Sequence, residues 1–83
     1  MRLEIYVSDH CANCGEALRL ADLARTVPGA VVRVVNLDTT TDPVPPRVVA
    51  VPTYILDGRV ISLGNPFAED LLDMLTRARE EAS

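Results

Sequence analysis

The feature that most constrains this chain is the β-branched run Val31-Val32-Arg33-Val34-Val35, which follows one strand-like and one helix-like segment. A strand reached in this way pairs in parallel with the first one. Parallel partners need a long connection, and a twisted sheet admits one hand of crossover. The first strand is read from Leu3, Ile5 and Val7 alternating with Arg2, Glu4 and Tyr6, the period-two pattern of the strand. The helix between them is expected from about Ala12 to Thr26. It carries Ala17, Leu20, Ala21, Ala24 and Val27 on one stripe, widened by Leu18 and Leu23, and Pro28-Gly29 ends it.

The second half of the chain is read from its turns. Asp38 to Pro43 is a loop, and Pro43, Pro45 and Pro46 forbid a regular helix after it, leaving at most a single turn around Arg47 to Ala50. Thr53 to Leu56 and Arg59 to Leu63 flank Asp57-Gly58, a hairpin signal because both central residues of a type I′ turn need positive φ. Gly64-Asn65-Pro66 opens a last helix, with Asn65 as N-cap and Pro66 at the first helical position. Its buried stripe is expected to be Phe67, Leu71, Leu72, Met74, Leu75 and Ala78. The order is therefore β-α-β-β-β-α, an α/β fold with a four-stranded mixed sheet and two main helices. At 83 residues, the chain 1–83 makes one domain with no room for a second core. Tyr6, Tyr54 and Phe67 are its only aromatics, so aliphatic side chains must fill that core.

Charge and composition remove several classes of function. A net charge of −4 disfavours a nucleic-acid partner, and no basic patch is present. All eight basic residues are arginine, so no lysine is available as a base. Met1 to Ile5 carries an acid and no apolar core of a signal peptide, and no apolar run nears the ~18 residues of a membrane span. No membrane association and a cytoplasmic location are expected. In that compartment a pair of cysteines two residues apart is more often catalytic or metal-binding than structural.

That pair is Cys11-Ala12-Asn13-Cys14, at the junction of the first strand and first helix. Thiols there lie beside unsatisfied backbone N–H groups and the positive end of the helix dipole, both of which favour the thiolate. Two such thiols on one turn can open and close a disulfide. The single histidine, His10, directly precedes Cys11. It either tunes or shuttles a proton to that thiol, or stands exposed and idle. Asp9 would act in the opposite sense and raise the thiol pKa if close. Asn13 is expected to cap the helix.

With this Cys-x-x-Cys goes a second element about forty residues on, Val51-Pro52-Thr53 at the start of the third strand. The combination, over nearly the whole chain, resembles the thioredoxin superfamily, at the size of a glutaredoxin-like or minimal thioredoxin-like redoxin. The resemblance implies a thioredoxin-like fold and a thiol–disulfide oxidoreductase with Cys11 as nucleophile and Cys14 as resolving thiol. It also implies a cis peptide bond before Pro52, close to Cys11. Val51, Pro52 and Thr53 would then line a groove for an extended substrate, with Tyr54 beside them. Three departures narrow the likeness. The motif has no aromatic before it and no proline inside it. Ile5 stands where thioredoxins have a buried acid. Leu63-Gly64-Asn65-Pro66 replaces the glycine pair and acid with which glutaredoxins hold glutathione. That last departure counts against glutathione; otherwise no cofactor is expected beyond the Cys11–Cys14 disulfide.

The expected partners are disulfide-bearing protein substrates and a reductase of unknown kind, with the chain a monomer. Two other functions use the same cysteines. A Cu(I) carrier would suit two thiolates, but copper-chaperone-like domains run β-α-β-β-α-β and have no Val-Pro-Thr element. A zinc site is weaker, since His10, Cys11 and Cys14 give three ligands at best, and no metal is expected. A non-enzymatic redox-sensing adaptor would keep the dithiol and turn over nothing.

Overall fold

The computed structural model describes residues 1–82, in the order β1 (Arg2–Val7), α1 (Cys14–Ala24), β2 (Val31–Asn36), β3 (Thr53–Leu56), β4 (Arg59–Leu63) and α2 (Ala68–Ala82). The four strands form one sheet in the order β2-β1-β3-β4. β1 and β2 are parallel, with Ile5 opposite Val34, and α1 is the crossover between them. β3 runs antiparallel to β1, with Tyr54 opposite Ile5, and β4 antiparallel to β3. The mixed α/β sheet with two helices is the architecture expected of a thioredoxin-like chain.

The period of two in β1 sorts its residues between the faces. Leu3, Ile5 and Val7 point to the helices, where they meet Tyr54 and Leu56 of β3, Ala17, Leu20, Ala21 and Ala24 of α1, and Leu71 and Leu75 of α2. The alanines of α1 are fully buried, and their small size lets the helix lie close on the sheet. Each fully buried leucine contributes about 1.5–3 kcal/mol through removal of its surface from water. Tyr6, Val35 and Ile55 point the other way, into a smaller cluster covered by Leu37 and Val48 of the long β2–β3 connection.

The hairpin turn forms as its sequence requires, with Asp57 at φ 49° and Gly58 at φ 84°. Asp57 also accepts a hydrogen bond from the Arg2 amide at 2.8 Å, which ties the turn to the start of β1. A register irregularity in the β3–β4 pairing sets Tyr54 opposite Ser62 and Ile55 opposite Val60.

Several boundaries and burials differ from the sequence reading. α1 begins at Cys14 rather than Ala12, because Ala12 and Asn13 are spent in the turn between the cysteines. Arg47 to Ala50 contains no helix, only a turn closed by Val48 N–H donating to the Pro45 carbonyl. α2 starts at Ala68, so neither Asn65 nor Pro66 begins it; the Phe67 carbonyl accepts the first helical bond, from Leu71. Phe67, expected in the core, is 77% exposed, and Leu18 of α1 is 51% exposed. Neither belongs to a core cluster.

Candidate functional site

β1 ends at Val7, and the chain crosses Ser8 to Asn13 before α1 begins at Cys14. The parallel neighbour β2 ends at the same edge, and β3 begins there, so one end of the sheet gathers the cysteine turn, the β2–β3 connection and Val51-Pro52-Thr53. A disulfide joins Cys11 and Cys14, whose Cα atoms are 5.3 Å apart. The two are unlike in burial: Cys11 is half-buried, while Cys14 is 6% exposed and belongs to the helix-side core. The Cys14 amide closes the turn by donating to the Cys11 carbonyl at 3.3 Å.

Two sets of polar contacts hold this turn. On the β2 side, Asn36 Nδ2 donates to Asp9 Oδ1 at 2.8 Å, the Asp9 amide donates to Asp38 Oδ2 at 2.7 Å, and the Asp38 amide donates to Asn36 Oδ1 at 2.9 Å. This ring latches the approach to Cys11 onto the end of β2. On the β3 side, the Tyr54 hydroxyl donates to Asn65 Oδ1 at 2.7 Å, and Asn65 Nδ2 donates to the Asn13 carbonyl at 2.8 Å. Asn13 stands at the N-cap position, but its side chain makes no capping bond; its carbonyl also receives the Ala17 amide. Asn65 does not cap α2, which starts three residues later at Ala68; its amide is engaged instead with Tyr54 and the cysteine turn.

Burial pushes the Tyr54 phenol up to about 12, and the Glu16 carboxylate adds to that shift. Glu16 itself is held below its ordinary value by the Arg19 guanidinium, which binds it side by side on the exposed face of α1.

The other residues singled out from the sequence gather at the same end. The Val51–Pro52 peptide is cis. Val51 packs against the same core cluster as Cys11, and Pro52 is fully buried with its carbonyl accepting the Gly64 amide at 2.7 Å. Thr53 is buried, and its hydroxyl donates to the Ala50 carbonyl. His10 is exposed, and no hydrogen bond holds it among the described residues. Ile5 is fully buried opposite Tyr54.

A cleft of about 360 Å³ opens beside the disulfide, lined by Cys11, Cys14, Asp9, Leu18, Val34 and Asn36 among others. A second hollow of about 330 Å³ lies between Ser8, Asp38 and Val48 to Val51. A hollow of about 540 Å³ lies at the opposite end between β4 and α2 and contains no cysteine or histidine. Exposed apolar side chains include Leu18 in the cleft beside the disulfide, Val49 in the second hollow, and Phe67, two residues after Asn65. Among the described residues no group of three or more histidine, cysteine or acidic side chains is disposed to hold a metal, and no helix is long and apolar enough to cross a membrane.

Sequence reasoning missed the two polar tethers. The Asn36-x-Asp38 spacing at a strand end is a local turn signal that pointed to one of them. The Asn65 bridge spans 52 residues, and nothing near Asn65 in sequence distinguishes it from a helix cap. No curated protein and no solved structure matches the chain. The thioredoxin-domain family model matches residues 1–76, a span that holds every strand, the cysteine pair and the cis-proline segment. With its β-α-β-β-β-α order and a bonded Cys-x-x-Cys at the start of the first helix, the chain belongs to the thioredoxin-domain family.

Proposed function

We propose that this protein is a thiol–disulfide oxidoreductase that reduces disulfides of protein substrates, with Cys11 as nucleophile and Cys14 as resolving thiol. The observation that carries the reading is the asymmetry of the bonded pair: Cys11 is reachable at the rim of a cleft, while Cys14, the first residue of α1, is buried in the helix-side core. In the reduced protein the free amides at the start of α1 favour the Cys11 thiolate. That thiolate attacks one sulfur of the substrate disulfide, forming a mixed disulfide and releasing the first substrate thiolate. Cys14 gives up its proton, attacks the Cys11 sulfur and expels the second substrate thiolate. Two electrons pass to the substrate, its two sulfurs take up protons, and the Cys11–Cys14 bond closes. A separate reductase must then supply two electrons to reopen it.

The exposed apolar side chains Leu18, Val49 and Phe67 suit a protein client that covers them. Val51, Pro52 and Thr53 are the residues we assign to substrate alignment, and His10, next to Cys11 in the chain, is the residue we assign to its support. Glutathione is disfavoured as the electron donor, since Asp9 and Asp38 set carboxylates at the approach that its own carboxylates would meet. A reducing, cytoplasmic setting and a monomeric state fit this activity, and it needs no bound cofactor.

The test is a pair of single variants assayed on a protein disulfide. Cys14→Ser is expected to accumulate a mixed disulfide through Cys11 that dithiothreitol releases, and Cys11→Ser to fall to the uncatalysed rate. Wild-type turnover by both variants would overturn the reading. Stoichiometric copper retained by the reduced protein would favour the soft-metal carrier instead.

A further inference from the structure

The hydrogen bonds among Tyr54, Asn65 and Asn13 have a fixed direction. A backbone carbonyl only accepts, so the amide nitrogen of Asn65 must face Asn13, leaving Oδ1 to accept from the Tyr54 hydroxyl. Tyr54 is wholly buried on β3, anchored opposite Ile5, so its hydroxyl is a rigid reference point. The peptide that Asn65 grips is the one joining Asn13 to Cys14. Its other end is the Cys14 N–H, which donates to the Cys11 carbonyl. One peptide unit between the two cysteines is thus held at both ends, by the turn itself and by a residue from across the sheet.

We propose that Asn65 is a positioning residue for closure of the Cys11–Cys14 disulfide, with Tyr54 orienting its amide; the proposal rests on the thiol–disulfide reading above. In the mixed disulfide no covalent bond fixes the turn. Cys14 must then find the Cys11 sulfur, and its success depends on how closely the turn keeps its closed shape. The grip of Asn65 on the Asn13 carbonyl at 2.8 Å adds to the longer bond from the Ala17 amide at 3.4 Å in supplying that restraint. Asn65 touches neither sulfur, so it sets where Cys14 stands and leaves the attack of Cys11 on the substrate unchanged. In closure the Cys14 thiolate attacks the Cys11 sulfur, the bond between Cys11 and the substrate breaks, and the leaving sulfur takes up a proton.

The measurement is the effective concentration of Cys14 toward Cys11, read by equilibrating the protein with glutathione redox buffers. Asn65→Ala is expected to lower it about five- to tenfold, the worth of one hydrogen bond. Asn65→Asp keeps the acceptor for Tyr54 and loses the donor to Asn13, so it should lower it at least as much. Tyr54→Phe, which only frees the amide, should lower it about twofold. In a Cys14→Ser background, the rate at which Cys11 forms a mixed disulfide with 2-hydroxyethyl disulfide should stay within about twofold when Asn65 is changed. A wild-type effective concentration in Asn65→Asp would overturn the proposal. So would an Asn65→Ala variant that slows the Cys11 attack as much as the closure. Circular dichroism checks each fold, and if Asn65→Ala does not fold, Asn65→Asp and Tyr54→Phe decide. These equilibria involve the protein's own cysteines and glutathione, and no protein substrate. A wild type that closes its disulfide yet reduces no protein substrate would therefore count against the proposed function alone.

Discussion

The two faces of the sheet are held by different means. On one, both helices seal a cluster that runs from Leu3 and Ile5 through Ala17 and Leu20 to Leu71 and Leu75. On the other, Tyr6, Val35 and Ile55 are covered only by Leu37 and Val48 of an irregular connection. The difference divides the candidate site. Cys14 belongs to the large cluster and Cys11 packs against it, so the dithiol stands on the best-packed part of the molecule. The connection that leads to Val51 and Pro52 crosses the thin face. Regions with few buried apolar contacts open at lower free energy. The dithiol half is thus the fixed half, and the connection that approaches Val51 over the thin face, rather than the buried Pro52 and Thr53 themselves, is the half with room to adjust to a partner.

The comparison breaks first on core deletions. Leu71→Ala is expected to cost near the top of the about 2–5 kcal/mol range for such changes, because β-strands and α1 confine the space and little can collapse into it. Ile55→Ala removes a similar volume from the thin face, where the Leu37 and Val48 cover can settle, so its cost should lie near the lower end, about 2 kcal/mol. Urea unfolding with an unchanged slope measures both. Equal losses would show that the loop cover is as rigid as the helices. A smaller effect sharpens the same point: amides of the connection between Leu37 and Val51 should exchange with solvent faster than those of β1 in the native protein.

The same contrast governs what could be read from the sequence. Elements of the helix-covered face were legible, because Leu3, Ile5 and Val7 alternate and Ala17, Leu20, Ala21 and Ala24 repeat at helical spacing, and packing selects for those periods. The hairpin was legible from Asp57-Gly58 alone, since its turn demands positive φ. Phe67 misled because an aromatic at the head of an amphipathic stripe reads as core, yet α2 starts one residue later and leaves it outside. Asn65 before a proline carries every local mark of a cap, and its actual partners come from β3 and from the cysteine turn. The cysteine motif was legible as chemistry; the tethers that hold it depend on contacts between distant residues, which no local pattern encodes.

The two tyrosines, one on each face, put the comparison on a pH scale with the smallest effect of all. Tyr54, on the helix side, has its phenol pushed up to about 12, by burial first and by the Glu16 carboxylate second, with no cation opposing the shift. Tyr6, on the thin side, is also raised, by burial and then by Glu4, but Arg33 and Arg2 pull it back. In the unfolded chain both titrate near about 10. The native state therefore holds these protons more tightly than the unfolded state does. Below about pH 10 neither phenol affects stability; as the pH climbs from about 10 toward 12, stability falls, because the unfolded chain releases its protons first. Ionisation of Tyr54 also removes the donor that orients Asn65. With two tyrosines and no tryptophan, phenolate absorbance follows both groups without interference. Two steps are expected, Tyr6 before Tyr54. Tyr54→Phe should delete the later step and flatten the alkaline loss of stability, and Tyr6→Phe should delete the earlier one. If Tyr6→Phe instead removed the later step, the thin face would be the better sealed of the two, and the division of the site into a fixed half and an adjustable half would reverse.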